Sequence, residues 1–156
     1  MCIRDSDQGG RSPGCRLELA LGQRIGSTVG SMAMTTSSVW ALRGATTVDA
    51  DEPSLIEQAV VEVLGELLAR NGLTEQDCIS ILFTVTPDLV SAFPATAARL
   101  GGFGEVPLIC AQEIPVPGAT PRCIRVLLHV HTPRSRAELH HVYLRGAQGL
   151  RDDLPR

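Results

Sequence analysis

A chain of 156 residues with 44% apolar and 20% charged side chains has the composition of a soluble globular domain with a substantial core. Aromatic residues make up only 3% and the net charge is -3, which argues against a stacking platform for single-stranded nucleic acid and against nucleic acid as the main partner. No apolar run approaches the ~20 residues a membrane span needs. The cysteines (Cys2, Cys15, Cys78, Cys110 and Cys123) are odd in number and lack C-x-x-C spacing, so free thiols in a reducing, cytoplasmic setting fit better than a disulfide framework.

Residues 1–38 are rich in Gly and Ser with scattered Arg. Their apolar run at 17–21 is interrupted by Glu18, unlike a secretory signal. The opening Met-Cys-Ile-Arg-Asp-Ser looks like translated sequencing-adapter DNA, with Met32 or Met34 as a natural start. The alternative is a genuine disordered extension. On either reading no fold is expected there, so residues 1–38 form a leader and residues 39–156 the folded domain.

Residues 39–48, VWALRGATTV, are apolar and β-branched around Arg43-Gly44 and predict a first strand. The acidic stretch 49–52 ahead of Pro53 marks a helix start. That helix runs to about Arg70, because apolar residues at 55, 56, 59, 60, 63, 64, 67 and 68 form an i, i+4 double stripe. Asn71-Gly72 ends it with a left-handed cap, and Glu57, Glu62, Glu66 and Arg70 occupy the opposite face. Residues 78–86 predict a second strand, broken at Thr86-Pro87-Asp88. Phe93-Pro94 opens a short helix over 95–100, closed by Gly101-Gly102. Two apolar runs, 106–110 and 124–130, then flank a segment punctuated by Pro115, Pro117, Gly118 and Pro121, the pattern of strand, loop and strand. Ser135 and Glu138 have capping-box spacing for another short helix. Residues 142–150, containing Gly146 and Gly149, are assigned as extended, and residues 151–155 as a polar tail. This order predicts an α/β or α+β sandwich with helices covering one sheet face.

Glu113 follows the first of those two runs and Arg125 lies inside the second. A charge within an apolar strand is costly unless something pairs it. Either the two pair with each other, or they face a cavity and await a polar ligand. Guanidinium planes grip carboxylates with two parallel hydrogen bonds, so Arg43, Arg99 and Arg125 converging would suit a ligand with more than one carboxylate. Glu113 is a candidate acid or base, or an ion-pair partner, with no second carboxylate on its run. His129 and His131 share a strand face without a third ligand at suitable spacing, and His140-His141 is weaker still as a metal motif. Cys110 as a nucleophile lacks a base and an orienter placed by sequence. There is no phosphate loop and no GxGxxG. The residues alone give a cytoplasmic domain with an anion site and no visible nucleophile, metal or cofactor.

Leu42-Arg43-Gly44-Ala45-Thr46-Thr47-Val48 closely resembles the opening strand of the monofunctional, trimeric chorismate mutases of Bacillus-like bacteria. The resemblance continues through Thr86-Pro87-Asp88-Leu89, Phe93-Pro94-Ala95, Val106-Pro107 and Cys110-Ala111-Gln112-Glu113. It resumes at Cys123-Ile124-Arg125-Val126 and His141-Val142-Tyr143-Leu144, and ends at Leu150-Arg151-Asp152-Asp153-Leu154. These blocks keep family order over residues 39–154, about three quarters of the chain. The resemblance implies an α+β fold: a mixed sheet with helices on one face, assembled as a homotrimer around a central pseudo-α/β-barrel, an architecture shared with Rid proteins. It implies the pericyclic Claisen rearrangement of chorismate to prephenate in phenylalanine and tyrosine biosynthesis, with no cofactor, metal, nucleic-acid or membrane partner. By position, Arg125 would donate to the breaking ether oxygen and a substrate carboxylate, and Arg43 and Tyr143 would hold the side-chain carboxylate. Glu113 and Cys110 would position the ring hydroxyl, Phe93 and Leu150 would wall the ring, and Arg99 would lie at the mouth near the ring carboxylate. Thr96 stands where the family often has Lys, and Ile109 where Thr is frequent; both bear on affinity more than on chemistry. Two rival readings are a Rid-type imine or enamine deaminase and a non-catalytic binder of aromatic-pathway metabolites. Intact Glu113 and Arg125 argue against a degraded site.

Overall fold

The computed structural model describes residues 37–151. The expectations for residues 1–36 and for the tail at 152–155 lie outside the described residues. Within them, β1 (Ser38–Thr47), β2 (Cys78–Val85), β3 (Leu108–Gln112), β4 (Cys123–Thr132) and β5 (Val142–Tyr143) form one mixed sheet in the order β3-β2-β4-β1-β5. The central β4 is antiparallel to both β1 and β2, while β3 and β5 run parallel to their neighbours at the two edges. The α+β expectation of a mixed sheet with helices on one face is met.

Helix α1 (Pro53–Asn71) covers one face. Its stripe residues Ile56, Val60, Val63, Leu64 and Leu67 are at most 1% exposed and share a core with Leu42, Ile81, Phe83, Val126 and Leu128 of the sheet. Removing this apolar area from water is the main drive for the fold. Gly44 lets the helix sit directly on β1: a Cβ there would come within 2.8 Å of Leu67 Cδ1 and 3.1 Å of Val63 Cγ2. Pro53 opens the helix, but Glu52 supplies no side-chain cap. Asp51 instead accepts the amides of Val90 and Ser91, both at 3.1 Å, and so fixes the loop after β2.

Gly72 ends α1 at φ 58, as its sequence position predicts. Asn71 does more than accompany it. Its buried side chain donates to Leu67 O at 2.8 Å and His140 O at 2.9 Å, and accepts from His140 N at 2.7 Å. The helix end is thereby tied to the connection leading into β5.

Three elements differ from expectation. Strand β3 begins at Leu108 rather than 106 and extends to Gln112, because Pro107 has no N–H to offer and contributes only its carbonyl, which accepts Ile81 N at 2.9 Å. The short helix α2 (Pro94–Ala98) passes into a widened turn, Arg99–Phe103, with Gly102 at φ 108. The extended reading of 142–150 is corrected: after the two residues of β5, Arg145–Arg151 winds into a 3-10 helix. Arg145 takes φ 50, and Gly146 N donates to Thr47 Oγ1 at 3.0 Å, an approach that a Cβ at 2.9 Å from that oxygen would obstruct. The glycine serves close contact with β1. The capping box at Ser135 and Glu138 forms with both hydrogen bonds, around Arg136–Glu138.

Candidate active site

The period of two along each strand sends alternate side chains to the face that α1 leaves open. Register then lines up Tyr143, Ala45, Arg125 and Thr84 in one row across β5, β1, β4 and β2. The neighbouring row contains Arg43, Leu127 and Leu82. Ala45, a small residue between Tyr143 and Arg125, leaves space above the sheet. Residues of these rows, with Leu150 and Arg151 of the 3-10 helix, line a cavity of about 340 Å³.

Both alternatives for Glu113 and Arg125 hold together. Arg125 Nη1 lies 3.0 Å from Glu113 Oε2, and the other carboxylate oxygen accepts Thr84 Oγ1 at 2.6 Å. Glu113 is thus clamped between two strands, its side chain 13% exposed, while Arg125 remains 40% exposed and lines the cavity. Arg125 Nε is buried without an oxygen or nitrogen acceptor, and the guanidinium's other neighbour is the Cys123 thiol, a weak acceptor. An unsatisfied buried donor is expensive, and a guanidinium donor doubly so. Beneath lies a small cluster of Ala45, Cys123 and Ala147, with Tyr143 and Leu150 packed on it. Burial pushes the Cys123 thiol up, and the nearby Arg125 charge pulls it back.

The start of β4 is pinned by the Thr86-Pro87-Asp88 break. Cys123 N donates to Thr86 Oγ1 at 2.9 Å, Thr86 in turn donates to Asp88, and Asp88 accepts Arg122 N at 2.8 Å. Burial pushes the Asp88 carboxyl up, but these hydrogen bonds and the Arg122 charge hold it below its ordinary value.

Arg43 is exposed and reaches two spaces. Besides the first cavity it borders a second, of about 610 Å³, lined also by Arg136, His140, His141 and Arg151. The donors around both are mainly guanidinium and imidazole groups, which suit an anion with several acceptor oxygens and not a cation. His129, on the same face, lies with Nδ1 3.1 Å from Ser80 Oγ.

In the single chain the candidate residues fall into two groups. Arg43, Arg125, Glu113, Tyr143 and Leu150 come together. Phe93 and Cys110 line a separate cavity of about 220 Å³ beside β3, and Arg99 is exposed on the turn after α2. Cys110 pairs in register with Phe83, so it belongs to the helix-facing row. Sequence reasoning missed Thr84, whose hydroxyl clamps Glu113; only the β2–β4 register places it beside Arg125. It also treated Arg151 as the beginning of a tail, although Arg151 borders both cavities.

The profile of the family described as chorismate mutase type I matches residues 39–154. The chain is 49% identical to the chorismate mutase AroH of Thermus thermophilus over 114 residues, 72% of this chain and 93% of that protein. Against the chorismate mutase AroH of Bacillus subtilis it is 40% identical, over 72% of this chain and 90% of the relative. A solved structure of a chorismate mutase from Clostridium thermocellum superposes with a TM-score of 0.69 at 49% identity, covering 70% of this chain and 97% of that one.

Proposed function

The chain belongs to the type I chorismate mutases, and we propose that it rearranges chorismate to prephenate in the Arg43–Arg125 cavity, as an enzyme of aromatic amino acid biosynthesis. The observation that carries this reading is Arg125: a guanidinium anchored through Nη1 to Glu113 and still 40% exposed, at a cavity whose other cations suit a dianion.

The rearrangement is concerted and intramolecular. One carbon–carbon bond forms as the ether carbon–oxygen bond breaks, and no proton moves to or from the protein. Two physical tasks remain. The dianion must be held in the folded conformer that brings the bonding carbons together. Negative charge growing on the ether oxygen must meet a donor already in place. Arg125 performs the second task. Its ion pair with Glu113 fixes the guanidinium plane before substrate arrives, so little reorganisation is left for the transition state. Arg43 and Tyr143 hold the side-chain carboxylate, and Leu150 walls the ring. Glu113 already accepts from Thr84 and Arg125, and a carboxylate has about four acceptor sites, so it retains capacity for the ring hydroxyl.

The remaining candidates, Phe93, Arg99 and Cys110, complete the site from a neighbouring copy in a homotrimer. Their separation from Arg125 within one chain supports that reading. So does the exposure of Val90, Phe93 and Ile109, at 76%, 72% and 62%, on the β3 side. The catalytic domain spans residues 39–156 and acts in the cytoplasm. Among the described residues no helix is long and apolar enough to cross a membrane.

Purified protein should abolish the chorismate absorbance, with prephenate identified as the product. No conversion above the uncatalysed rate would contradict the assignment. Light scattering should give a trimer mass for the active species, and a fully active monomer would contradict the shared site.

A further inference from the structure

Strand β1 meets β5 only briefly. Pairing begins at Gly44 opposite Val142, and Leu144 N donates to Ala45 O at 2.9 Å. Odd-numbered residues of β1 therefore direct their backbone groups towards β5. One step earlier, at Arg43, β5 has not yet begun, and the Arg43 amide would be left at an open strand edge. It donates instead to a side chain, His141 Nδ1, at 3.0 Å. The backbone that carries the imidazole is itself held. The preceding residue, His140, has both its N–H and its carbonyl bonded to the buried Asn71 at the end of α1. A continuous set of contacts thus runs from the helix end through the His140 backbone and the His141 ring to the Arg43 backbone.

We propose that His141 is a positioning residue for Arg43: as the neutral tautomer protonated on Nε2, it caps the Arg43 amide and fixes the strand edge from which the guanidinium reaches the substrate carboxylate, so that protonating His141 weakens substrate binding. This rests on the reading of Arg43 as a carboxylate-holding residue. Only one ring nitrogen of a neutral histidine can accept, and the charged ring has none. An imidazolium would turn an N–H towards the N–H of Arg43.

The surroundings favour the neutral form. Partial burial lowers the His141 pKa below its ordinary value of 6.5, and Arg43 on β1, Arg151 on the 3-10 helix, and Arg136 and His140 on the β4–β5 connection lower it further. With the folded value below 6.5, the cap is fully present above that pH and is lost as pH falls through the folded value. A charged His141 would also add positive field near a dianion. Three arginines already supply that field, whereas His141 is the group hydrogen-bonded to this amide. Loss of the cap outweighs the added charge.

The test compares His141→Asn, whose side-chain oxygen can replace Nδ1 and does not titrate, with His141→Leu, which has no acceptor. At pH 7.5 the Leu variant should raise KM roughly 5- to 10-fold with kcat within about twofold, the scale of one lost hydrogen bond. The Asn variant should keep KM within about twofold of the parent. In the parent, KM should rise as pH falls through the folded His141 value, which lies below 6.5, and in the Asn variant it should stay flat over the same range. Exchange of the Arg43 amide proton, followed by NMR without substrate, should be slow in the parent and the Asn variant and fast in the Leu variant. Equal KM values for Asn and Leu, or an acid rise of KM that persists in the Asn variant, would overturn the proposal. So would a parent KM that falls in acid, or an Arg43 amide that exchanges equally in all three proteins. If the parent does not convert chorismate, the enzymatic reading fails, and amide exchange still decides the His141 contact by itself.

Discussion

The two faces of the sheet are made by the same strands and carry opposite chemistry. On β4 the residues turned to α1 (Ile124, Val126, Leu128 and Val130) are at most 3% exposed, while Arg125, Leu127 and His129 between them remain partly open. The covered face holds the molecule together. The open face can therefore carry an arginine in the middle of an apolar strand, because helix packing does not depend on it. A one-residue slip in register would exchange the two sets, burying Arg125 under the helix and exposing the core. That cost specifies the register in which β4 pairs with β1 and β2.

Substitutions can test how separate the faces are. The largest effect on stability is expected at Phe83, fully buried on the covered face. Phe83→Ala should cost about 3–5 kcal/mol in denaturant unfolding. The fraction that stays folded should keep its kcat for chorismate, and a parallel loss of kcat would show that the faces are coupled. Gly44→Ala adds a methyl within 2.8 Å of Leu67 Cδ1 and should cost about 1–3 kcal/mol through overpacking, seen as a lowered melting temperature. An unchanged melting temperature would mean that α1 can lift from β1 freely. The smallest effect is expected outside both faces. A chain beginning at Met34 should keep the melting temperature and activity of the full chain, and loss of either would show that the leader contributes to the fold.

Much of the covered face was legible in the sequence because its signals are local. The double stripe from 55 to 68 and the Gly72 stop define α1, and an apolar run interrupted by one arginine defines β4. The site was legible only in part. That Glu113 and Arg125 needed each other or a ligand followed from the cost of burying charge. That Thr84 would hold the second carboxylate oxygen depended on a register between distant strands. The 3-10 helix at Arg145–Arg151 was missed because its cause is long-range: Gly146 packs on Thr47, and Arg145 pairs with Glu62 of α1. The division of the candidate residues into two groups follows from the order and facing of the strands: Cys110 lies in the helix-facing row of edge strand β3, whereas Glu113, just past its end, meets Arg125 of central β4. Local spacing carries none of that order.

The central claim is that Arg125 stabilises charge that appears only as the ether bond breaks, and Arg125→Lys tests it most directly. Lysine keeps the positive charge but loses the planar fork that lets one residue pair with Glu113 and still present a second donor to the cavity. Measured with chorismate at saturating concentration, kcat should fall by at least ~10²-fold, the scale of one preorganised donor, with a smaller change in KM and an unchanged melting temperature. Arg43→Lys should show the opposite balance, mainly a raised KM, because a substrate carboxylate is charged in both ground and transition states. Near-normal kcat in a folded Arg125→Lys protein would contradict the account.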